Sequence, residues 1–365
     1  MRLHNYWWLL IWPLLFGALS FVVNMRREEL VDGHRCVRWS PLAAYALAVP
    51  FVLWAGWRQW FGDTEMYRRT FQNLPTGSAQ IGPYLREATK DRGFTLIELL
   101  FKTIISHSDV TFFVFIAAIQ ICCLVHVYRK YSPNYWLSFF FFIASTDYLS
   151  WMHNGMRQFL AAAILFLCVP LIAKKQYIPA VIITILAAQI HLTALIFLPF
   201  IFVVNGRSWN FRTLLFIIGV IAAVVFVDRV TGFITEAMED TAYEGDIDIL
   251  IKDDGTNIFR VLFYSVPAVM AWAFRSRLDR VDDPVLNVCA NLSIVAAGFY
   301  VFSFFTSGIL IGRLPIFFSL ANYILIPWLL REAFQRDSAV VLESFFGLVY
   351  VAFFYYQCGP TWGLL

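Results

Sequence analysis

The chain has 365 residues, 60% of them hydrophobic, 18% aromatic and only 15% charged. Soluble chains run at about 45–50% apolar and about 25% charged, and the mean hydropathy here is +0.66. This composition excludes a disordered chain, a secreted disulfide scaffold and a nucleic-acid binder, and the net charge of +3 is too small to imply an anionic partner. The reading is an all-α polytopic membrane protein, a single integral membrane domain over 1–365, with lipid as its main solvent. The six cysteines include the adjacent pair Cys122-Cys123 but no CxxC, so no zinc or redox motif is present.

A crossing of ~30 Å of hydrocarbon takes about 20 helical residues. In chain order the apolar runs fall at 6–24, 41–57, 109–127, 135–152, 158–173, 177–189, 191–204, 211–228, 258–274, 285–305, 314–330 and 339–356, twelve expected spans, some of them short or re-entrant. The first, Tyr6 to Val23, has no small-residue cleavage site and reads as a retained span. Lys174 and Lys175 precede the pair 177–189 and 191–204, and Arg207 and Arg212 follow it. The positive-inside rule puts both ends of that pair in the cytoplasm, so it is expected to be a hairpin with His191 at its tip. The same rule places Arg26, Arg27, Arg35, Arg38, Arg129, Lys130, Arg275, Arg277, Arg280, Arg331 and Arg336 inside, with both termini outside. Two segments are expected not to cross: 58–108, an outer loop with amphipathic helices such as Phe94 to Ile105, and 228–257, an acidic outer loop. The acidic loop lacks the spacing of a calcium site, and no metal ligand set or cofactor motif is found.

Charges at membrane depth are costly and mark function. Arg58, Arg157, Arg260 and Arg313 each sit at an outer span end. Guanidinium groups grip phosphate oxygens with two prongs and keep their charge when partly desolvated, so the four are expected to form an outer anion site suited to a lipid pyrophosphate. The competing reading is that they pair with Asp63, Asp147, Glu98 or lipid head groups and only set topology. Asp63, after Gly62, suits a general base on a sugar hydroxyl or a helix cap for Thr64 to Phe71. His191, in the apolar stretch Gln189 to Thr193, is the other candidate base, and His153 a weaker one. Neither is preferred over Asp63 on sequence grounds. There is no P-loop, GxSxG, HExxH or dinucleotide fingerprint.

The ordered motifs resemble the EpsG family of exopolysaccharide biosynthesis proteins, similar in role to Wzy-type polymerases. The resemblance rests on Arg58, Gly62, Asp63, Thr64 and Tyr67; on Arg92 to Glu98, where the family tends to have a Glu-Pro-Gly-Tyr-like sequence; on Asn154, Arg157, Gln158 and Ala161; on His191, Thr193, Ala194, Leu198 and Pro199; and on Arg313 to Phe318. It implies a GT-C-like membrane glycosyltransferase, metal-independent and without cofactor, in a bacterial cytoplasmic membrane. Its substrate is an undecaprenyl-pyrophosphate-linked oligosaccharide, polymerised at the outer face with release of lipid pyrophosphate. A chain-length regulator and a flippase are the partners it implies, besides membrane lipids. The implied site residues are Asp63 and His191 for catalysis, with Arg58, Tyr67, Asn154, Arg157, Gln158, Arg260 and Arg313 for the substrate. The alternatives are a transporter or flippase of lipid-linked glycans, though no paired halves with matched broken helices are visible, and a non-catalytic scaffold of a polysaccharide export assembly.

Overall fold

The computed structural model describes residues 5–31, 34–58, 61–239, 244–252, 255–332 and 336–365. Helix α1 (Trp8–Val22) leads into an antiparallel pair, β1 (Arg26–Val31) and β2 (His34–Trp39), with Arg26 opposite Trp39 and Val31 opposite His34. This hairpin departs from the all-α expectation, which treated 26–38 as a charged loop. Helix α2 (Pro41–Gly56) starts where Ser40 accepts from the Ala43 N–H and Pro41 takes the first position, where its missing N–H costs nothing.

Three short helices follow, α3 (Thr64–Asn73), α4 (Ser78–Glu87) and α5 (Arg92–Ile104), then the long α6 (Asp109–Tyr131) and α7 (Tyr135–Ala144). Helix α6 carries Asp109 in its first turn and Arg129 and Lys130 in its last, matching the helix dipole at both ends. Arg38 donates to the carbonyls of Arg129 (3.2 Å) and Lys130 (2.5 Å) there, so this arginine closes a helix end. A π-helical turn, Tyr148–Asn154, joins α7 to α8 (Met156–Phe166).

The chain continues as α9 (Cys168–Ala173), α10 (Tyr177–Ile190), a 3₁₀ turn Leu192–Ile196, α11 (Phe197–Val203), α12 (Phe211–Val225), α13 (Val227–Met238), α14 (Ile247–Lys252), α15 (Ile258–Ala273), α16 (Arg275–Val281), α17 (Pro284–Phe304), a 3₁₀ turn Ile311–Arg313, α18 (Ile316–Ser319), α19 (Asn322–Glu332) and α20 (Arg336–Tyr356). Asn210, Asn257 and Asp283 cap α12, α15 and α17 through their side chains.

The protein is therefore a nearly all-helical, multi-pass membrane protein. Among the described residues, four helices are long and apolar enough to cross a membrane, or seven if each of three bent pairs is one span. The other five expected spans fold as apolar helices of 10–17 residues, short of the about 20 that a full crossing takes. The expected acidic loop is in part helical. Helix α13 turns 94° from α12 and packs Val227, Val230, Ile234 and Met238 against a core of Leu250, Phe302 and Ile311. Asp240, Asp253 and Asp254 of that loop lie outside the described residues.

The chain forms two compact units, one of Met1–Leu167, Leu186–Leu192 and Ile326–Leu365, the other of Cys168–Ile185 and Thr193–Leu325. In the first, α3 and α5 meet α6 through rings: Phe112 of α6 stacks on Phe71 of α3 at 4.7 Å and meets Phe101 of α5 edge-on at 5.3 Å. In the second, Phe299 stacks on Phe318 at 5.5 Å and Tyr264 on Tyr300 at 4.8 Å. The second unit also settles the shape of the 177–204 pair. The rings of Tyr177 and Phe202 lie 5.5 Å apart, and Asn205 donates to the Tyr177 hydroxyl. One continuous helix would hold those positions ~38 Å apart at 1.5 Å per residue, so the chain doubles back between them, as the basic residues at both ends require.

Candidate functional site

The polar centre of the first unit is Asp91. It immediately precedes α5 and takes a left-handed conformation with φ 50°, one that Asp and Asn tolerate better than most residues. That conformation turns the side chain away from its own helix, where it makes no cap bond. Its Oδ2 meets Arg157 Nη1 at 3.0 Å and His191 Nδ1 at 3.1 Å, and its Oδ1 accepts from the Leu192 N–H at 3.3 Å. The partners are 66, 100 and 101 residues downstream in the sequence. The Asp91 side chain is only 3% exposed and that of Arg157 is 33% exposed. Burial pushes the Asp91 carboxyl up, but the His191 hydrogen bond and the charges of His191 and Arg157 outweigh it, and the net direction is below the usual carboxylate range.

The contact depends on a close backbone approach. A Cβ on Gly93 would lie 2.6 Å from the Gln189 carbonyl oxygen, so only glycine lets the start of α5 sit on the end of α10. His191 occupies the break just after α10. A carboxylate only accepts, so Asp91 fixes Nδ1 of His191 as the donor and leaves the Nε2 lone pair for a proton. This is the arrangement by which a carboxylate sets the tautomer of a basic imidazole.

Arg157 stands in the first turn of α8 and also bonds Tyr67 of α3, with its guanidinium 5.8 Å from that ring's centroid. Burial raises the Tyr67 hydroxyl above its ordinary value, and the Arg157 charge opposes the shift. The Arg157 charge also reaches Glu98, two turns along α5 from Asp91. Glu98 is 3% exposed, and burial pushes its carboxyl up to about 8 against the pull of Arg157.

The turn before α3 is tied to the same centre. Gly62 has φ +53° and no room for a Cβ beside Asn154, and the Asp63 N–H donates to Asn154 Oδ1 at 3.0 Å. Asp63 makes no side-chain cap bond to α3, so its carboxylate is not spent on the structural role open to it in the sequence. The far end of α3 is closed by Lys102, whose Nζ donates to the carbonyls of Phe71 (2.9 Å), Gln72 (2.7 Å) and Leu74 (2.7 Å).

The four expected arginines divide. Arg58 is 2% exposed, donates to the Met152 carbonyl at 2.7 Å and lies over the Phe113 ring at 4.1 Å, so it pins the π-helical turn ahead of Arg157. Arg157 pairs with Asp91, a partner the sequence reading did not consider. Arg260 and Arg313 belong to the second unit. Arg260 lies over the Tyr264 ring, and the turn bearing Arg313 packs on the residue before the α15 cap, where a Cβ on Gly312 would lie 2.5 Å from Thr256 Oγ1. Gln158 is buried on α8, and His153 is fully buried beside the Tyr148 ring at 5.0 Å.

Of the residues singled out in the sequence, the fold gathers His191, Arg157, Tyr67, Asn154 and Asp63 into one unit, and it joins to them Asp91, which the sequence reading did not consider. A signal was available. An acid two residues before the glycine is what a Glu-Pro-Gly-Tyr-like block supplies, and Asp91-Arg92-Gly93-Phe94 keeps that spacing, whereas Glu98 does not.

No curated protein and no solved structure matches the chain. The EpsG family model matches residues 42–358, a span that contains every member of the Asp91 cluster and both arginine turns of the second unit, and the chain therefore belongs to the EpsG family, a Wzy-like family of polysaccharide polymerases.

Proposed function

We propose that this protein joins undecaprenyl-pyrophosphate-linked oligosaccharide repeats at the outer face of a bacterial cytoplasmic membrane, as a metal-independent glycosyltransferase of GT-C type. The single observation that carries the reading is the Asp91–His191–Arg157 cluster, built from motif blocks far apart in the chain. Nε2 of His191 takes the proton of the acceptor sugar hydroxyl. The freed oxygen attacks the anomeric carbon of the donor glycan. The bond from that carbon to the phosphate oxygen breaks, its electron pair stays on that oxygen, and lipid pyrophosphate leaves. Asp91 holds the imidazole in the basic tautomer and balances the imidazolium that forms. Arg157 turns its exposed edge to the departing pyrophosphate; such preorganised charge is often the largest catalytic contribution. Arg260 and Arg313, in the second unit, are substrate-binding arginines. Asp63, Tyr67, Asn154 and Gln158 contact or position the glycan. A flippase supplies the repeats and a chain-length regulator limits the product.

The test is the fate of single repeats in cells carrying His191→Ala. A polymerase defect leaves lipid-linked single repeats on the outer leaflet, open to an impermeant glycosidase. Repeats accumulating only on the inner leaflet would identify a flippase instead, and normal polymer would identify a scaffold.

A further inference from the structure

Helices α12 and α13 belong to the same unit and meet at 94° around Phe226. A bend of that size means that α13 adds nothing to the crossing that α12 begins. Asp228, Arg229 and Glu236 of α13 and the Glu239 that follows it are all exposed, a load too costly for hydrocarbon depth. The sides of this helix differ. Val227, Val230, Ile234 and Met238 pack on the core of Leu250, Phe302 and Ile311, and the acids lie round from them. Phe226 and Phe233, one heptad apart and so within ~20° of each other about the axis, take a third side, at 53% and 71% exposure.

The lipid-facing surface of α12 leads straight to these two rings. Phe211, Leu214, Leu215, Ile218, Ile221 and Val225 form one exposed stripe along α12, while Phe216 on its opposite side lies against Phe299 of α17 at 5.9 Å. Phe226 follows Val225 at the bend and carries the exposed apolar surface onto α13. Depth agrees with this. The 15 residues of α12 rise ~22 Å, about 8 Å less than the ~30 Å of hydrocarbon. With Arg212 at one surface, the bend lies below the opposite surface by that amount, and amphipathic helices bed their apolar face about 5–10 Å deep at such a boundary. Arg229, with its guanidinium 5.8 Å from the centroid of the Phe226 ring, can extend from there to lipid phosphates. A second copy docked on this face by a two-fold axis would instead bring two acidic helices together.

We propose that α13 is an interfacial helix that seats Phe226 and Phe233 in the phospholipid leaflet opposite Arg207 and Arg212, and that through Ile311 it steadies the Ile311–Arg313 turn near the depth of the lipid phosphates. The second half rests on the polymerase reading, in which that leaflet is the outer one and Arg313 meets the pyrophosphate of a lipid-linked substrate. Phe226 and Phe233 are positioning residues: they touch membrane lipid and act on the substrate through the Arg313 turn.

The experiment places a benzophenone side chain at position 233, and separately at 236, of the full chain. The variants are illuminated in nanodiscs of phosphatidylethanolamine and phosphatidylglycerol and in the membranes of the expressing cells, and the adducts are identified by mass. At 233 the expected adduct is one phospholipid; at 236, on the side that faces water, the lipid yield is expected to be about tenfold lower. Lipid yields within about twofold of each other at the two positions overturn the proposal, and so does an adduct at 233 to a second copy or to another protein in place of lipid. KM and kcat for a polyprenyl pyrophosphoryl glycan are measured alongside. Phe233→Ser is expected to raise KM by about tenfold, the worth of one buried ring, with kcat held, Phe233→Trp to restore the parental KM, and Glu236→Ser to change neither. A parental KM in a folded Phe233→Ser variant overturns the positioning of the Arg313 turn, and the adducts decide alone if that variant does not fold. Lipid adducts at 233 from a chain without turnover remove the polymerase reading and keep α13 in the leaflet.

Discussion

Replacing Asp91 with Asn keeps the shape of the side chain and removes the charge on which the site is organised. The carboxylate accepts three bonds, from Arg157 (3.0 Å), His191 (3.1 Å) and the Leu192 N–H (3.3 Å). An amide has one accepting oxygen. If that oxygen serves Arg157 and His191, the amide NH₂ faces the Leu192 N–H, donor against donor. If it serves Leu192, the NH₂ faces a guanidinium and an imidazole, and His191 must present Nδ1 as the acceptor, the wrong tautomer for catalysis from Nε2. Two charges ~4 Å apart interact by about 4 kcal/mol at an effective dielectric of 20, and the one-third exposure of Arg157 cuts this by solvent screening. A loss of roughly 1–3 kcal/mol in stability is expected. The catalytic effect is larger: the equivalent exchange in a serine-protease triad costs about 10⁴ in turnover through the tautomer alone. The assay is the initial rate of lipid pyrophosphate release by purified protein in nanodiscs, with thermal unfolding of the same preparation. The expected result is a rate lowered by about 10²–10⁴ with a modest fall in melting temperature. A folded Asp91→Asn variant that turns over within threefold of the parent would refute the role given to Asp91.

Three further outcomes follow from the same geometry. Gly93→Ala places a methyl 2.6 Å from the Gln189 carbonyl, and overpacking of this kind costs roughly 1–3 kcal/mol; the melting temperature should fall and turnover with it, whereas Gly77→Ala, which meets nothing but has φ +104°, should cost stability without touching catalysis. Glu98 has its carboxyl raised from 4.5 to about 8, so between those values the folded chain keeps a proton that the unfolded chain has released. Stability should therefore fall as pH rises through that window, by roughly 4–5 kcal/mol at most at 1.36 kcal/mol per unit, and Glu98→Gln should flatten the curve and be the more stable form at pH 9; an unchanged slope in the Gln variant would count against a neutral buried Glu98. Arg157→Lys and Arg313→Lys keep charge but lose the two-pronged donor, and each should slow release of lipid pyrophosphate by about 10²–10³; rates within twofold for both would leave these arginines only a topological role.

The apolar runs were legible because a membrane demands long stretches of one character, and all twelve coincide with helix. Caps were also written locally, in Ser40-Pro41, Asn210, Asn257 and Asp283-Pro284. The doubling back at His191 came from charge counting alone. Elements that depend on pairing were missed. Residues 26–39 carry four arginines and two glutamates, so they read as a charged loop, yet Asp32-Gly33 between Val31 and His34 is the strongest short-range hairpin signal. Helix α13 was hidden by its acids, although Val227, Val230, Ile234 and Met238 recur at helical spacing. Asp91 was missed for another reason: its contacts go to residues 66 and 100 positions away, and in an otherwise polar linker only its spacing to Gly93 marked it. Arg58, whose place beside Gly62-Asp63 suggested a ligand, is buried in the fold with Nη1 on the Met152 carbonyl.

The central claim is that this chain by itself extends a lipid-linked glycan, with His191 as the base that Asp91 holds. The most direct measurement supplies purified protein in nanodiscs with one undecaprenyl-pyrophosphate-linked repeat unit, in buffer containing a metal chelator, and follows polymer length and lipid pyrophosphate together. The account predicts a ladder of products with one lipid pyrophosphate released per linkage, and neither product from His191→Ala. Polymer formation by the His191→Ala variant at the parental rate, or no polymer from the folded parent, would contradict it.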